Sequence, residues 1–396
     1  MDKNKRGKPQ FSGEWVKLGL CFPYIKNGMN VKQQKGKSGI PITRIETLSG
    51  NRFNRDKVGY AGIISTEGIE DRILADGDIL MSHINSLPYL GRAVMYEKRD
   101  GEQMIHGMNL LRLKADRSAI RPDYAAAYFR SEHFRRQIIR IANKSVNQAS
   151  FSVRNLKDLS FPLVTLDRQR DIVERLNVVN NGINTLQQML FRFDTLVKSR
   201  FIEMFEHDRF PTAPIGKIAL SKMPNARKAF DTTDSIRYID ISSIDSISCE
   251  VTRATEYLLE DAPSRAQQCV SKGDLLVSTV RPNLKNVATI TLNDENLVAS
   301  TGFCVLRCSE CPPEYLKTIV RSEKFTHDMC QLTTGANYPA IKNSDILNYE
   351  IPLPPKEDMN QFAAFVRQVD KLRFKTQRQI EKLEMLKKSL MQEYFG

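Results

Sequence analysis

Cys304, Cys308 and Cys311 stand in a C-x₃-C-x₂-C spacing that can hold three corners of an iron–sulfur cluster, with Cys330 available as a fourth ligand. A second copy of the same stretch, residues 109–113, carries no cysteine, and Glu310 stands where radical enzymes that use S-adenosylmethionine usually carry an aromatic residue. Small core residues are the favoured reading; a cluster or a structural zinc is the rarer one. Asp78 and Asp274 follow a glycine in two matching turns, a repetition that catalysis could explain. Gly-Asp is also ordinary turn chemistry, and the structural reading is preferred. No Walker-type phosphate loop, no G-x-G-x-x-G after a strand and no H-E-x-x-H occurs. The double prolines Pro312-Pro313 and Pro354-Pro355 follow Cys311 and Leu353, not the Asn or Asp that amino-methyltransferases need. No nucleophile, base and oxyanion donor assemble. The chain reads as a binder.

Composition supports a binder of polyanions. The 396 residues are 41% apolar and 27% charged, too long for one core and typical of two or three globular domains. No apolar run reaches membrane-spanning length, no secretory signal opens the chain, and seven scattered cysteines do not suggest disulfides, so a cytoplasmic location is expected. The net charge of +13 is uneven. Residues 1–160 hold 28 Lys and Arg against 16 Asp and Glu, whereas residues 211–352 hold 15 against 17. A basic first portion suits a phosphate backbone, because each neutralised phosphate releases counterions. Most non-specific DNA affinity is therefore expected from residues 1–210.

The elements that position any such site come twice. Residues 145–164 align with 335–354 at a shift of 190, and 122–134 align with 313–325 at 191, with Arg-Ser-Glu in both. Gly107, Leu110, Leu111 and Arg112 match Gly302, Val305, Leu306 and Arg307 at 195. Gly77-Asp78-Ile79-Leu80 matches Gly273-Asp274-Leu275-Leu276 at 196, and Leu18-Gly19 matches Ile215-Gly216 at 197. Ordered matches with a slowly drifting shift indicate a tandem duplication.

Each copy is expected to begin with a β-rich part, in which residues 40–48 and 237–244 alternate as strands and a Gly-Asp turn starts another. One helix is expected over 124–141 and over 315–331, then a polar loop and a short strand ending near Pro162 or Pro352. A long helix closes each copy. Ile172, Leu176, Val179, Ile183, Leu186, Leu190 and Phe193 step alternately by four and three, with Val197 continuing the stripe. Phe362, Val366, Val369, Ile380 and Leu383 repeat it, with Leu386 and Leu390 beyond. Arg373 and Thr376 replace Ile183 and Leu186 in the second stripe, a polar break that could fix register, and Asn180-Asn181-Gly182 weakens the first helix. About 39 residues of helix span roughly 58 Å. The expected fold is α+β, a duplicated β-rich domain plus long helix, the two helices pairing as an antiparallel coiled coil. The expected domains are a basic tail at 1–13, recognition domains at 14–163 and 210–353, and spacer helices at 164–209 and 354–396.

Two polar loops recur in each copy. In the first they offer His83, Asn85 and Arg92, then Asn147, Gln148 and Ser150; in the second, Thr279, Arg281, Asn283 and Lys285, then Asn337, Tyr338 and Lys342. Arg, Asn and Gln can contact guanine or adenine edges bidentately, although such residues are also common in plain surface turns. The scaffold signatures recur while the loop residues differ, which predicts an asymmetric bipartite site with a fixed gap.

In this order the motifs resemble one family, the specificity subunits of type I restriction–modification enzymes. The resemblance runs from Trp15-Val16-Lys17-Leu18-Gly19 to Leu390. It rests on the two Gly-Asp strands, the loop before Ile341, the Phe-Pro-Leu and Ile-Pro-Leu-Pro strand ends, and the helices that begin near Asp167-Arg168-Gln169-Arg170 and Asn360-Gln361. It implies two target recognition domains on double-stranded DNA, and helices that also dock two methyltransferase subunits and the restriction/translocase subunits. It implies no catalysis in this chain, no membrane, and S-adenosylmethionine, ATP and magnesium only in the partner subunits. The S-like subunit of a type IIB system shares this organisation. A protein-interaction scaffold without nucleic acid is the reading from another class.

Overall fold

The computed structural model describes residues 13–33, 36, 38–50, 52–206, 210–245, 249–251, 253–334 and 339–396. The chain forms two compact units: residues 1–186 with 379–396, and residues 187–378. The proposed tail at 1–13 lies, Gly13 apart, outside the described residues. Among the described residues no helix is long and apolar enough to cross a membrane.

In the first unit, strand Glu14–Lys17 pairs antiparallel with Ser160–Leu163. A four-stranded antiparallel sheet runs in the order Tyr24–Asn27, Leu110–Lys114, Ile79–Ser82, Ala93–Met95. Its Gly-Asp strand is wholly buried, as the apolar run Ile79-Leu80-Met81 requires. The expected strand at 40–48 is cut short after Pro41–Ile42 and turns into a 3₁₀ helix, Ile45–Leu48. There the Thr47 hydroxyl donates to the Arg44 carbonyl (2.5 Å), a local bond that competes with strand pairing.

The second unit repeats the frame and enlarges it. Thr212–Pro214 pairs with Glu350–Pro352, and Leu275–Ser278 lies between Phe303–Cys308 and Val287–Thr289 in a six-stranded sheet. A further four-stranded sheet runs Thr255–Leu258, Ser235–Ile239, Leu297–Ser300, Ala266–Cys269.

The helix expected over 124–141 is two helices, Pro122–Tyr128 and Glu132–Ile141, and that over 315–331 is Pro313–Val320 and Glu323–Gln331. The repeated Arg-Ser-Glu explains both breaks. Ser131 and Ser322 are N-caps, each hydroxyl oxygen accepting at 3.1 Å from the N–H of Phe134 or Phe325.

Each copy ends in a 40-residue helix, Leu166–Phe205 and Lys356–Phe395. Both contribute to both units, running antiparallel within each. In the first unit the core that holds Ile172 and Leu176 is sealed by Tyr394 and Phe395. In the second, Phe201 and Phe205 join Phe362 and Val366. The repeats thus exchange helix ends: Phe395 packs on Tyr124 (5.5 Å between centroids) and Phe205 on the matching Tyr315 (5.1 Å). Those tyrosine hydroxyls donate to the carbonyls of Pro162 (3.0 Å) and Pro352 (2.8 Å).

Gly182 does not break its helix. A Cβ there would stand 3.1 Å from the Leu383 side chain, so the missing methyl lets the helices approach. Val179, Ile183, Val369 and Ile380 are buried; Leu186, Leu190, Phe193 and Leu383 are partly so. At the polar break Arg373 donates to Asp194 (2.7 Å), and the Thr376 hydroxyl lies 3.9 Å from the Met189 sulfur. Gln169, fully buried near the start of its helix, accepts from the Arg121 N–H (2.8 Å) and donates to the Ala119 and Val164 carbonyls (2.7 and 2.8 Å).

Candidate nucleic-acid interface

The two polar loops of each copy, far apart in sequence, meet. In the first unit Ile84–Asn85 pairs with Ala149–Ser150, which pairs in turn with Asn143–Lys144, a three-stranded ribbon. Ser150 stands opposite Ile84, and the Phe151 N–H donates to the His83 carbonyl (3.2 Å). In the second unit Val280 bridges Ala340, and Ala340 bridges Thr334. There the Ile341 N–H donates to the Thr279 carbonyl (2.9 Å) and the Arg281 N–H to the Pro339 carbonyl (2.8 Å). Ile84 and Val280 differ by 196, and Ser150 and Ala340 by 190, so both copies join their loops at the same place.

Not every named residue reaches the surface. His83 is buried, its ring edge-on to Phe151 and its Nδ1 unpartnered, and burial holds its pKa below the usual imidazole value. Thr279 is buried and donates to the Gly302 carbonyl (3.0 Å). Both side chains are thus turned into the protein, beneath their loops, in contrast to the exposed positions expected of base contacts. Their flanking residues alternate in pleat, and burial of one face is settled by what the sheet packs on. Asn85 is half-buried, its side-chain oxygen accepting from the Ser86 N–H (2.8 Å), and Arg92 lies over the Tyr89 ring (4.6 Å). Asn147, Gln148, Arg281, Asn283 and Lys342 are exposed, and Ser150 is half-buried. Asn337 and Tyr338 lie outside the described residues.

The second unit's first loop takes an unusual backbone path. Arg281 and Lys285 both adopt positive φ, 49° and 50°, on either side of the short turn Pro282–Leu284. Left-handed backbone at non-glycine residues costs about 1–3 kcal/mol each and persists where surrounding bonds enforce it. Lys285 is held by Glu323 (2.5 Å), at the start of helix Glu323–Gln331. Glu323 was readable in the repeated Arg-Ser-Glu, but its partner was not, since 38 residues separate them.

The repeated turn acids are ion-pair anchors. Asp78 accepts from the Ala75 N–H (2.7 Å) and pairs with Arg112, both nearly inaccessible. Asp274 accepts from the Ser271 N–H (2.8 Å) and pairs bidentately with Arg307 (2.8 and 2.7 Å). The pairs match, yet the strands do not: Ile79 faces Leu113 while Leu275 faces Leu306, a shift of 193 rather than the 195 that aligns the arginines. A two-residue offset keeps a side chain on the same sheet face, so the same pair forms from either register.

Cys304 is fully buried 3.5 Å from the Ser221 hydroxyl, and burial pushes its thiol up to about 11. Cys311 is buried, and Cys308 and Cys330 are partly so. Among the described residues no group of three or more His, Cys, Asp and Glu is placed to hold a metal ion.

His106, unremarked in the sequence, is buried and donates from Nε2 to the Leu110 carbonyl (2.8 Å). Burial pushes its pKa down to about 4. The unfolded chain therefore takes up the proton near pH 6.5 while the folded chain resists it until about pH 4. Stability contributed by neutral His106 is full above pH 6.5 and declines as pH falls through that window, by about 3 kcal/mol. Urea unfolding at pH 7 and 4.5 should show a smaller acid loss in His106→Gln; an unchanged loss would refute this assignment.

The family model of the type I restriction modification DNA specificity domain matches residues 215–385. The MjaX specificity subunit of a type I restriction enzyme from Methanocaldococcus jannaschii is 28% identical over 389 residues, spanning 93% of this chain and 89% of that one. The MjaVIII specificity subunit of the same organism is 24% identical, spanning 59% of this chain and 61% of its own length. In fold, the chain is similar to a type I restriction–modification S subunit from M. genitalium, with a TM-score of 0.54 at 12% identity over 100% of this chain and 98% of that one.

Proposed function

We propose that this chain, similar to the specificity subunits of type I restriction–modification enzymes over nearly its whole length and in its matched domain, reads an asymmetric, bipartite DNA site. Each unit takes one half-sequence, and the helical pair sets the gap. The observation that carries the reading is the loop junction made at the same place in both units but furnished with different side chains: Asn85, Asn147 and Gln148 in one, Arg281 and Asn283 in the other. Equal scaffolds with unequal readers fit an asymmetric target.

The same reading gives the chain no catalytic step. It docks two adenine-methyltransferase subunits and the restriction subunits, which supply S-adenosylmethionine, ATP and magnesium chemistry in the cytoplasm. Exposed Val178 and Phe191 on one helix and Phe374 and Met385 on the other suit such docking. So does a groove of about 470 Å³ in the second unit, where Leu196 and Phe365 lie beside Arg200 and Glu203.

The test is selection of bound duplexes from a randomised library by the full-length chain co-expressed with its neighbouring methyltransferase subunit. Two short enriched blocks at a constant spacing are expected. A stable protein complex that enriches no sequence would favour the protein-interaction scaffold instead.

A further inference from the structure

The ribbon in the first unit ends in a tight, closed tip. Both the N–H and the hydroxyl of Ser145 donate to the Gln148 carbonyl (2.7 and 2.8 Å). Val146 stands on that tip, 98% exposed, next to exposed Lys144, Asn147 and Gln148. A single exposed valine is ordinary on a protein surface. Its surroundings are not. Residues 133–157, which include the helix leading into the ribbon, hold six Lys and Arg and no Asp or Glu. Arg136, Arg140 and Arg154 among them are exposed. The matching stretch of the second copy, 324–347, holds two lysines and two aspartates. The first ribbon thus combines a cationic base, two amide side chains and an apolar point.

That combination matches one surface of duplex DNA. The major groove admits a β-ribbon, and its floor presents the adenine edge, which Asn and Gln pair with, and the thymine 5-methyl group, its apolar feature. Phosphates on either wall suit the arginines. We propose that Val146 packs against the 5-methyl group of a thymine in the half-site read by the first unit, flanked by amide contacts from Asn147 and Gln148. The proposal rests on the DNA-reading function above and adds a residue and a base to it.

The experiment uses the full-length chain with its methyltransferase subunit and the duplex enriched from the library. Each thymine of the two half-sites is replaced singly by deoxyuridine, which removes only the methyl group. One replacement, in the half-site lost on altering the first unit, should weaken wild-type binding about fourfold, the worth of one buried methyl. Val146→Ala should weaken binding to the unmodified duplex by a similar factor and be indifferent to deoxyuridine at that position. Val146→Ser should behave as Val146→Ala does, and neither change touches a core. Wild-type affinity in Val146→Ala overturns the proposal, as does a variant still sensitive to the missing methyl. A library that yields no enriched sequence removes the DNA-reading function itself, a separate failure.

Discussion

Phe395→Ala is expected to remove about 3–5 kcal/mol from the first unit and leave the second intact, while Phe205→Ala does the reverse. Both rings are essentially inaccessible. Phe395 lies 5.5 Å from Tyr124 and 5.6 Å from Tyr128, and Phe205 lies 5.1 Å from Tyr315 and 5.5 Å from Phe362. Truncation removes the burial of a large aromatic face and leaves a cavity that tightly packed neighbours fill only in part. Hydrogen exchange resolved along the chain separates the outcomes. Phe395→Ala should speed exchange in the cores around Ile79–Ser82 and spare those around Leu275–Ser278. Equal loosening of both would mean that the exchanged helix ends do not define the cooperative units. This arrangement also revises the expectation for residues 1–210: such a fragment keeps the basic surface but lacks Tyr394 and Phe395, which close its core.

The two turn acids should differ in weight although they occupy matching places. Asp78→Asn leaves Arg112, 1% exposed, without its counter-charge, and the Nε of that arginine already has no partner. Breaking a buried pair from one side costs about 3–5 kcal/mol. Arg307 is 39% exposed, so water can solvate its guanidinium once Asp274→Asn removes the charge. The loss there should be about 1–3 kcal/mol, that of charge-assisted hydrogen bonds. Chemical denaturation of the two variants measures the difference, and equal losses would show that burial of the arginine is not what sets the cost.

Some of this was legible in the residues alone. The Gly-Asp strands and the heptad stripes are patterns of short period that binary patterning suffices to read, and the duplication shows as ordered self-matches along the chain. The breaks at Ser131 and Ser322 were equally present, as N-caps inside an apolar-periodic run, but continuous periodicity masked them. The strand expected at 40–48 failed because a side-chain bond at Thr47 outweighed alternation.

The site was legible only as a set of residue types. Which loops meet depends on the pairing of Ile84 with Ser150 and of Val280 with Ala340, contacts made by residues sixty or more positions apart that no local pattern encodes. Burial of His83 and Thr279, the ion pair of Lys285 with Glu323 and the exposure of Val146 are likewise set by tertiary packing. The sequence by itself determined that the chain is a tandem duplication with a long helix closing each copy, because the same short patterns recur in the same order. The tertiary structure decided which loops join, which of their side chains are buried, and which helix end closes which core. Those outcomes depend on long-range packing, where burial of one face selects among side chains that local chemistry leaves equivalent.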